Sequence, residues 1–188
     1  MRRRRPYRKG SPRTNPGGHP VGDGPRRQLR RAHHLMETGQ HTEAAFIFER
    51  LARGAHDRGL LRHTSNLYLQ AGRANLLAGS TENGSELIQL GLSIIADGKH
   101  WPALARQGQR VIDELKQLGY VELSDKIATW LLNTLPEPLD HYQQIRQPHR
   151  LPLKCPYCGG ALRPDEVEML DHNTGECPYC GSAIRGER

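Results

Sequence analysis

Two identical pentapeptides near the C-terminus, Cys155-Pro156-Tyr157-Cys158-Gly159 and Cys177-Pro178-Tyr179-Cys180-Gly181, constrain this chain more than any other feature. They contain all four of its cysteines, with 18 residues between the pairs. A C-x-x-C turn aims two thiolates at one point, and the glycine after it lets backbone amides turn toward the sulfurs. Two such turns at this separation close a tetrahedral site with metal–sulfur bonds of about 2.3 Å. Cys155, Cys158, Cys177 and Cys180 are therefore expected to hold one structural Zn2+. Residues 153–188 have few large apolar side chains, so metal binding and folding of this segment should be a single event.

The paired Cys-Pro-Tyr-Cys-Gly motifs resemble the knuckles of a rubredoxin-type zinc ribbon. That resemblance implies short strands, placed around Glu166–Leu170 and near Ala183–Ile184. Iron could occupy the same thiolates, although zinc is the commoner occupant. Cys-Pro-Tyr-Cys also occurs as a glutaredoxin-like redox motif, but that chemistry uses one pair at a helix N-terminus within a βαβ unit. Neither context is present. Cys-Pro-x-Cys knuckles occur in RING domains too, which need eight ligands for two ions; four cysteines and His172 can fill one site at most. A reduced, single-zinc RING-like ubiquitin-ligase-type adaptor that docks a conjugating enzyme is the corresponding alternative. With four cysteines complete, His172 is read as a solvated turn residue.

The net charge of +7 is unevenly spread. Residues 1–31 carry 11 Lys and Arg against one acid, Asp23, a net charge of +10. Residues 32–152 come to −1 and residues 153–188 to −2. Nucleic-acid binding can therefore attach to the tail and the start of the first helix; phosphate contact on the acidic ribbon is disfavoured, although Tyr157 and Tyr179 could stack on bases. Residues 1–25 mix Arg clusters with Pro6, Pro12, Pro16, Pro20 and Pro25 and are expected to be a disordered basic tail. An accessory factor binding nucleic acid through residues 2–13 and 26–31 is a further alternative.

From Arg26 onward the pattern becomes helical and repeats. Gly39, Gly79 and Gly119 lie 40 residues apart, each followed within four positions by an acid, Glu43, Glu82 or Glu122. A glycine suits the left-handed position after a helix, and an acid complements the positive end of the next one. Six helices are expected, at 26–38, 42–55, 59–78, 82–97, 102–118 and 122–134, with a turn at Asp97-Gly98. Apolar stripes run along the second helix (Ala44, Ile47, Phe48, Leu51, Ala55) and the sixth (Leu123, Ile127, Trp130, Leu131). Small residues on the third (Leu60, Thr64, Leu67, Ala71, Ala74, Ala78) suit close approach to Leu87, Leu90, Gly91 and Ile94 on the fourth. Ala32, Gly39, Ala44 and Phe48 resemble the small and aromatic positions of tetratricopeptide (TPR) repeats. The resemblance implies three antiparallel helical hairpins whose concave face, along the first helix of each pair, binds a peptide or protein.

The expected fold is thus mainly α, a TPR-like α-solenoid at 26–134 with a small β zinc ribbon at 153–188. A Pro-rich linker at 135–152 should set the ribbon at a fairly defined distance yet let it rotate. His33, His34, His41, His56 and His63 lack the i, i+4 pairing with a carboxylate that marks a catalytic metal helix, and are read mostly as surface residues. No phosphate loop, nucleophile elbow or paired acid and base is visible. No window has the apolar length of a membrane span or secretory signal. The functional expectation is a cytoplasmic, non-enzymatic adaptor that binds protein on its helices and a second protein on its ribbon.

Overall fold

The computed structural model describes residues 24–142, 151–163, 166–170 and 174–186. The expected disordered tail lies outside the described residues except for Gly24 and Pro25, as does His172. All six expected helices are present, each within two residues of its expected bounds: α1 Pro25–Glu37, α2 His41–His56, α3 Leu61–Leu77, α4 Thr81–Asp97, α5 Trp101–Gln117 and α6 Val121–Thr134. Among the described residues, no helix is long and apolar enough to cross a membrane.

The five junctions between these helices are built alike, at intervals of 20 residues rather than 40. At each, an amide bonds back to a carbonyl five residues earlier: Gln40 to Leu35, Leu60 to Ala55, Ser80 to Asn75, His100 to Ile95 and Tyr120 to Leu115. The residue just before that amide is left-handed, namely Gly39, Gly59, Gly79, Lys99 and Gly119. These are Schellman closures, in which the last carbonyls of one helix are satisfied while the chain reverses. The expected turn at Asp97-Gly98 is displaced by one residue, because Lys99 rather than Gly98 takes the positive φ. An acid stands in the first turn only of α2, α4 and α6. A 20-residue geometric period is therefore nested in a 40-residue charge period.

Each helix packs on the next in chain order, and α3 is embraced by both α2 and α4. Ala44, Ile47, Phe48 and Ala55 are buried as the stripe on α2 requires, and Ile127 and Leu131 are buried on α6. On α3 the buried set includes Thr64, Leu67, Ala71 and Ala74, but Leu60 and, on α4, Leu90 are exposed. Glycines make the tight α3–α4 contacts, Gly91 as expected, where a methyl group would lie 3.0 Å from the Ser65 carbonyl oxygen, and Gly72 and Gly84 besides. A methyl group on Gly72 would lie 2.8 Å from the Gly84 carbonyl oxygen and 3.0 Å from the Ile88 amide nitrogen, both backbone atoms that cannot swing aside. Gly72→Ala is accordingly expected to destabilise the protein by about 2 kcal/mol, the usual cost of overpacking, measured as a lower urea midpoint with an unchanged slope.

Two cores result. One joins α1, α2 and α3 to the C-terminal module; the other joins α3 to α6 with a short 3-10 turn, η1 Leu139–Tyr142. Leu135 and Tyr142 are buried in the second core, so the first half of the Pro-rich segment is docked on the helices rather than acting as a spacer. The module contains a three-stranded antiparallel sheet in the order β1 Glu168–Met169, β2 Thr174–Glu176 and β3 Ala183–Arg185. Glu168 pairs with Glu176, and Glu176 in turn with Ala183. The outer strands fall where the sequence places them. The middle strand, Thr-Gly-Glu, has no apolar alternation to announce it.

Candidate metal centre

Both knuckles repeat one backbone design. The Gly159 amide donates to the Cys155 carbonyl at 2.8 Å, and the Cys155 amide donates to the Gly160 carbonyl at 2.8 Å. In the second knuckle, Gly181 donates to Cys177 at 3.0 Å and Cys177 to Ser182 at 2.9 Å. Gly159 and Gly181 are left-handed, with φ of 76° and 67°, which turns the following amide inward. As a result the Gly160 amide bonds the Cys158 sulfur, and the Ser182 amide bonds the Cys180 sulfur. The amides of Tyr179 and Cys180 reach the Cys177 sulfur. Amides directed at sulfur favour thiolates.

The four sulfurs lie within 4.8 Å of one another, and none is in a disulfide. Cys155 Sγ is 3.8 Å from Cys180 Sγ, and Cys158 Sγ is 3.8 Å from Cys177 Sγ. A tetrahedron with metal–sulfur bonds of about 2.3 Å has edges of about 3.8 Å, so an ion fits among them. The thiols cannot all ionise unaided. Hydrogen bonds from Cys158 and Cys177 hold the Cys180 thiol far below the ordinary range. Cys158 is pushed far above it by its bonds to Cys177 and Cys180 and by burial. Cys177 gains from its bond to Cys158, but the bond to Cys180 and burial outweigh this and push it up to about 12. A divalent cation would supply the positive charge that four largely buried thiolates require. The four sequence-predicted ligands are thus brought together and can hold a metal ion.

The module does not hang free of the helices. On α1, Arg30 donates to the Tyr157 carbonyl oxygen at 2.9 Å, Glu37 pairs with Lys154, and the His33 ring meets the Tyr179 ring edge-on at 5.3 Å. On α3, Asn66 donates to the Pro178 carbonyl at 3.2 Å, with His63 Nδ1 3.1 Å from the same oxygen, and Gln70 donates to the Tyr179 hydroxyl at 3.3 Å. On α5, Arg110 pairs with Glu166, whose side chain is only 8% exposed. These contacts come from the first helix of each expected pair. The face that the TPR resemblance assigns to a peptide is occupied by the chain's own C-terminal segment.

His33 is a correction to the reading of the histidines as surface residues. Its ring sits between Phe48, at 5.1 Å, and Tyr179, and burial lowers its pKa to about 4 against weaker opposing effects from Glu37 and Cys180. Its Nε2 is buried with no hydrogen-bond partner among the described residues. Asn66 and Gln70 are polar residues that sequence reasoning passed over, and His33 and His63 are ones it read with the surface histidines. The signal was a helical spacing of polar groups, at 63, 66 and 70 on α3 and at 26, 30, 33 and 37 on α1, on faces that looked solvated.

Comparison with family profiles, curated proteins and solved structures returned no match.

Proposed function

We propose that this chain is a non-enzymatic adaptor, a TPR-like stack of three helical hairpins stapled by a zinc ribbon, which binds a protein partner. Cys155, Cys158, Cys177 and Cys180 would hold the ion, and its role is to fix the module against α1 and α3. The observation that carries this reading is the mutual convergence of four largely buried thiols, which leaves none over for reaction. Among the described residues they form the sole cluster of metal-ligand type. The alternating first-turn acids support a two-helix repeating unit. Unpaired cysteines suit a reducing compartment such as the cytoplasm.

With the α1–α3–α5 side covered, the partner is assigned to an open cleft of about 650 Å³ between the first turns of α4 and α6, lined by Thr81, Ser85, Tyr120, Val121, Leu123 and Lys126. Val121 is 55% exposed there, and Leu118 close by in sequence is exposed as well. On the ribbon, Leu153 and Leu170 are exposed and offer a second docking position. The test is quantitative affinity capture from extract of the source cells with wild-type protein and Val121→Glu, an acid that the positive end of α6 tolerates. A protein enriched by the wild type and lost from the variant, at equal melting midpoint, is the expected result. Identical profiles for the two proteins overturn the assignment of the cleft.

A further inference from the structure

The two knuckles have the same sequence but opposite surroundings. Tyr179 is 6% exposed and its hydroxyl is satisfied by Gln70. Tyr157 is 46% exposed, so its ring is not needed to close the core. The Arg26 guanidinium lies over that ring, 5.7 Å from its centroid, and Arg30 holds the backbone carbonyl of the same residue. Arg26 and Arg30 are one helical turn apart at the start of α1. Both belong to the 31-residue stretch of net charge +10 and lie at its end. Near this face, Arg31 pairs with Glu43 and Lys154 with Glu37.

From this juxtaposition we infer that knuckle 1 and the start of α1 form a binding platform for single-stranded nucleic acid, a function beyond the protein adaptor. Arg26 and Arg30 engage phosphates, and Tyr157 stacks on an unpaired base. An aromatic ring inside a basic track is what a single strand uses, because each base has a π-face and the ring reads no sequence. A duplex keeps its bases stacked inward and out of reach of Tyr157. An acidic peptide would satisfy the arginines but leave the ring without a role.

The experiment uses the full metal-loaded chain and labelled oligouridine and oligothymidine of about 15 nucleotides, with a duplex of equal length and polyglutamate as competitors. Both single strands should bind. Tyr157→Leu should weaken binding by about 5-fold or more with its salt slope unchanged. Arg26→Gln should lower the slope by about 0.7, the share of one phosphate on a single strand. Both substituted positions are exposed, so metal content and melting midpoint should stay at wild-type values, and Arg26→Gln serves alone if Tyr157→Leu misfolds. The inference is overturned if the duplex competes as well as the single strand, if polyglutamate displaces the oligonucleotide at equal charge, or if Tyr157→Leu, folded, binds like the wild type while Arg2–Arg5→Ser abolishes binding.

Discussion

Replacing Cys177 with serine is expected to lower bound metal from about one ion per chain to background and to release the C-terminal module from the helices. A neutral hydroxyl cannot replace the thiolate, and the other three sulfurs are too close together to ionise without the cation. Structural zinc contributes on the order of 10 kcal/mol to domains of this kind, far more than three strands of two or three residues could retain. Loss would extend beyond the module. Tyr179, Val167, Leu162 and Ile184 belong to the same core as Leu29, Phe48 and Leu67, so removing them uncovers apolar surface on α1 and α3. Elemental analysis together with amide exchange checks this: protection should vanish over 174–186 and fall along α1 and α3. A module that keeps its protected amides without metal contradicts the expectation.

Acidification should expose the second large effect. In the folded protein His33 holds its proton only below a pKa of about 4, lowered from 6.5 chiefly by burial, whereas unfolded it gains a proton through the ordinary histidine range. Between those two values the unfolded state binds more protons, so stability falls as pH falls, and the contribution is complete only above about pH 6.5. From pH 7 to pH 5 the loss amounts to about 2 kcal/mol. The orphaned Nε2 is consistent with this sign, because no acceptor waits to receive its proton. His33→Phe keeps an aromatic ring between Phe48 and Tyr179 and should flatten the pH dependence of the urea midpoint over this range, measured while metal remains bound. An equal slope in both proteins would place the titration elsewhere.

Two of the repeat's three layers of information were legible in the sequence, and the reason is local. A left-handed residue after a helix and an acid at the next helix's positive end depend on a few neighbouring residues, so Gly39, Gly79 and Gly119 with their acids announced themselves. The half-period did not. Gly59 is preceded by Asp57-Arg58 and not followed by a first-turn acid, and Lys99 fills a left-handed position with a side chain that usually avoids it. The hydrogen-bond pattern at 59–60 and 99–100 nonetheless matches the others.

The four-cysteine cluster was determined by the sequence alone, since the C-x-x-C turn is made within one short segment and its spacing encodes where the sulfurs point. The tertiary structure alone decided what the module faces. Tyr157 and Tyr179 occur in the same pentapeptide, and no local rule separates an exposed ring from a buried one. The difference arises because His33, Asn66 and Gln70 meet the second knuckle, through contacts spanning more than a hundred residues of chain. Polar residues spaced along one side of a helix look the same whether water or another part of the protein lies opposite, and here it is the protein.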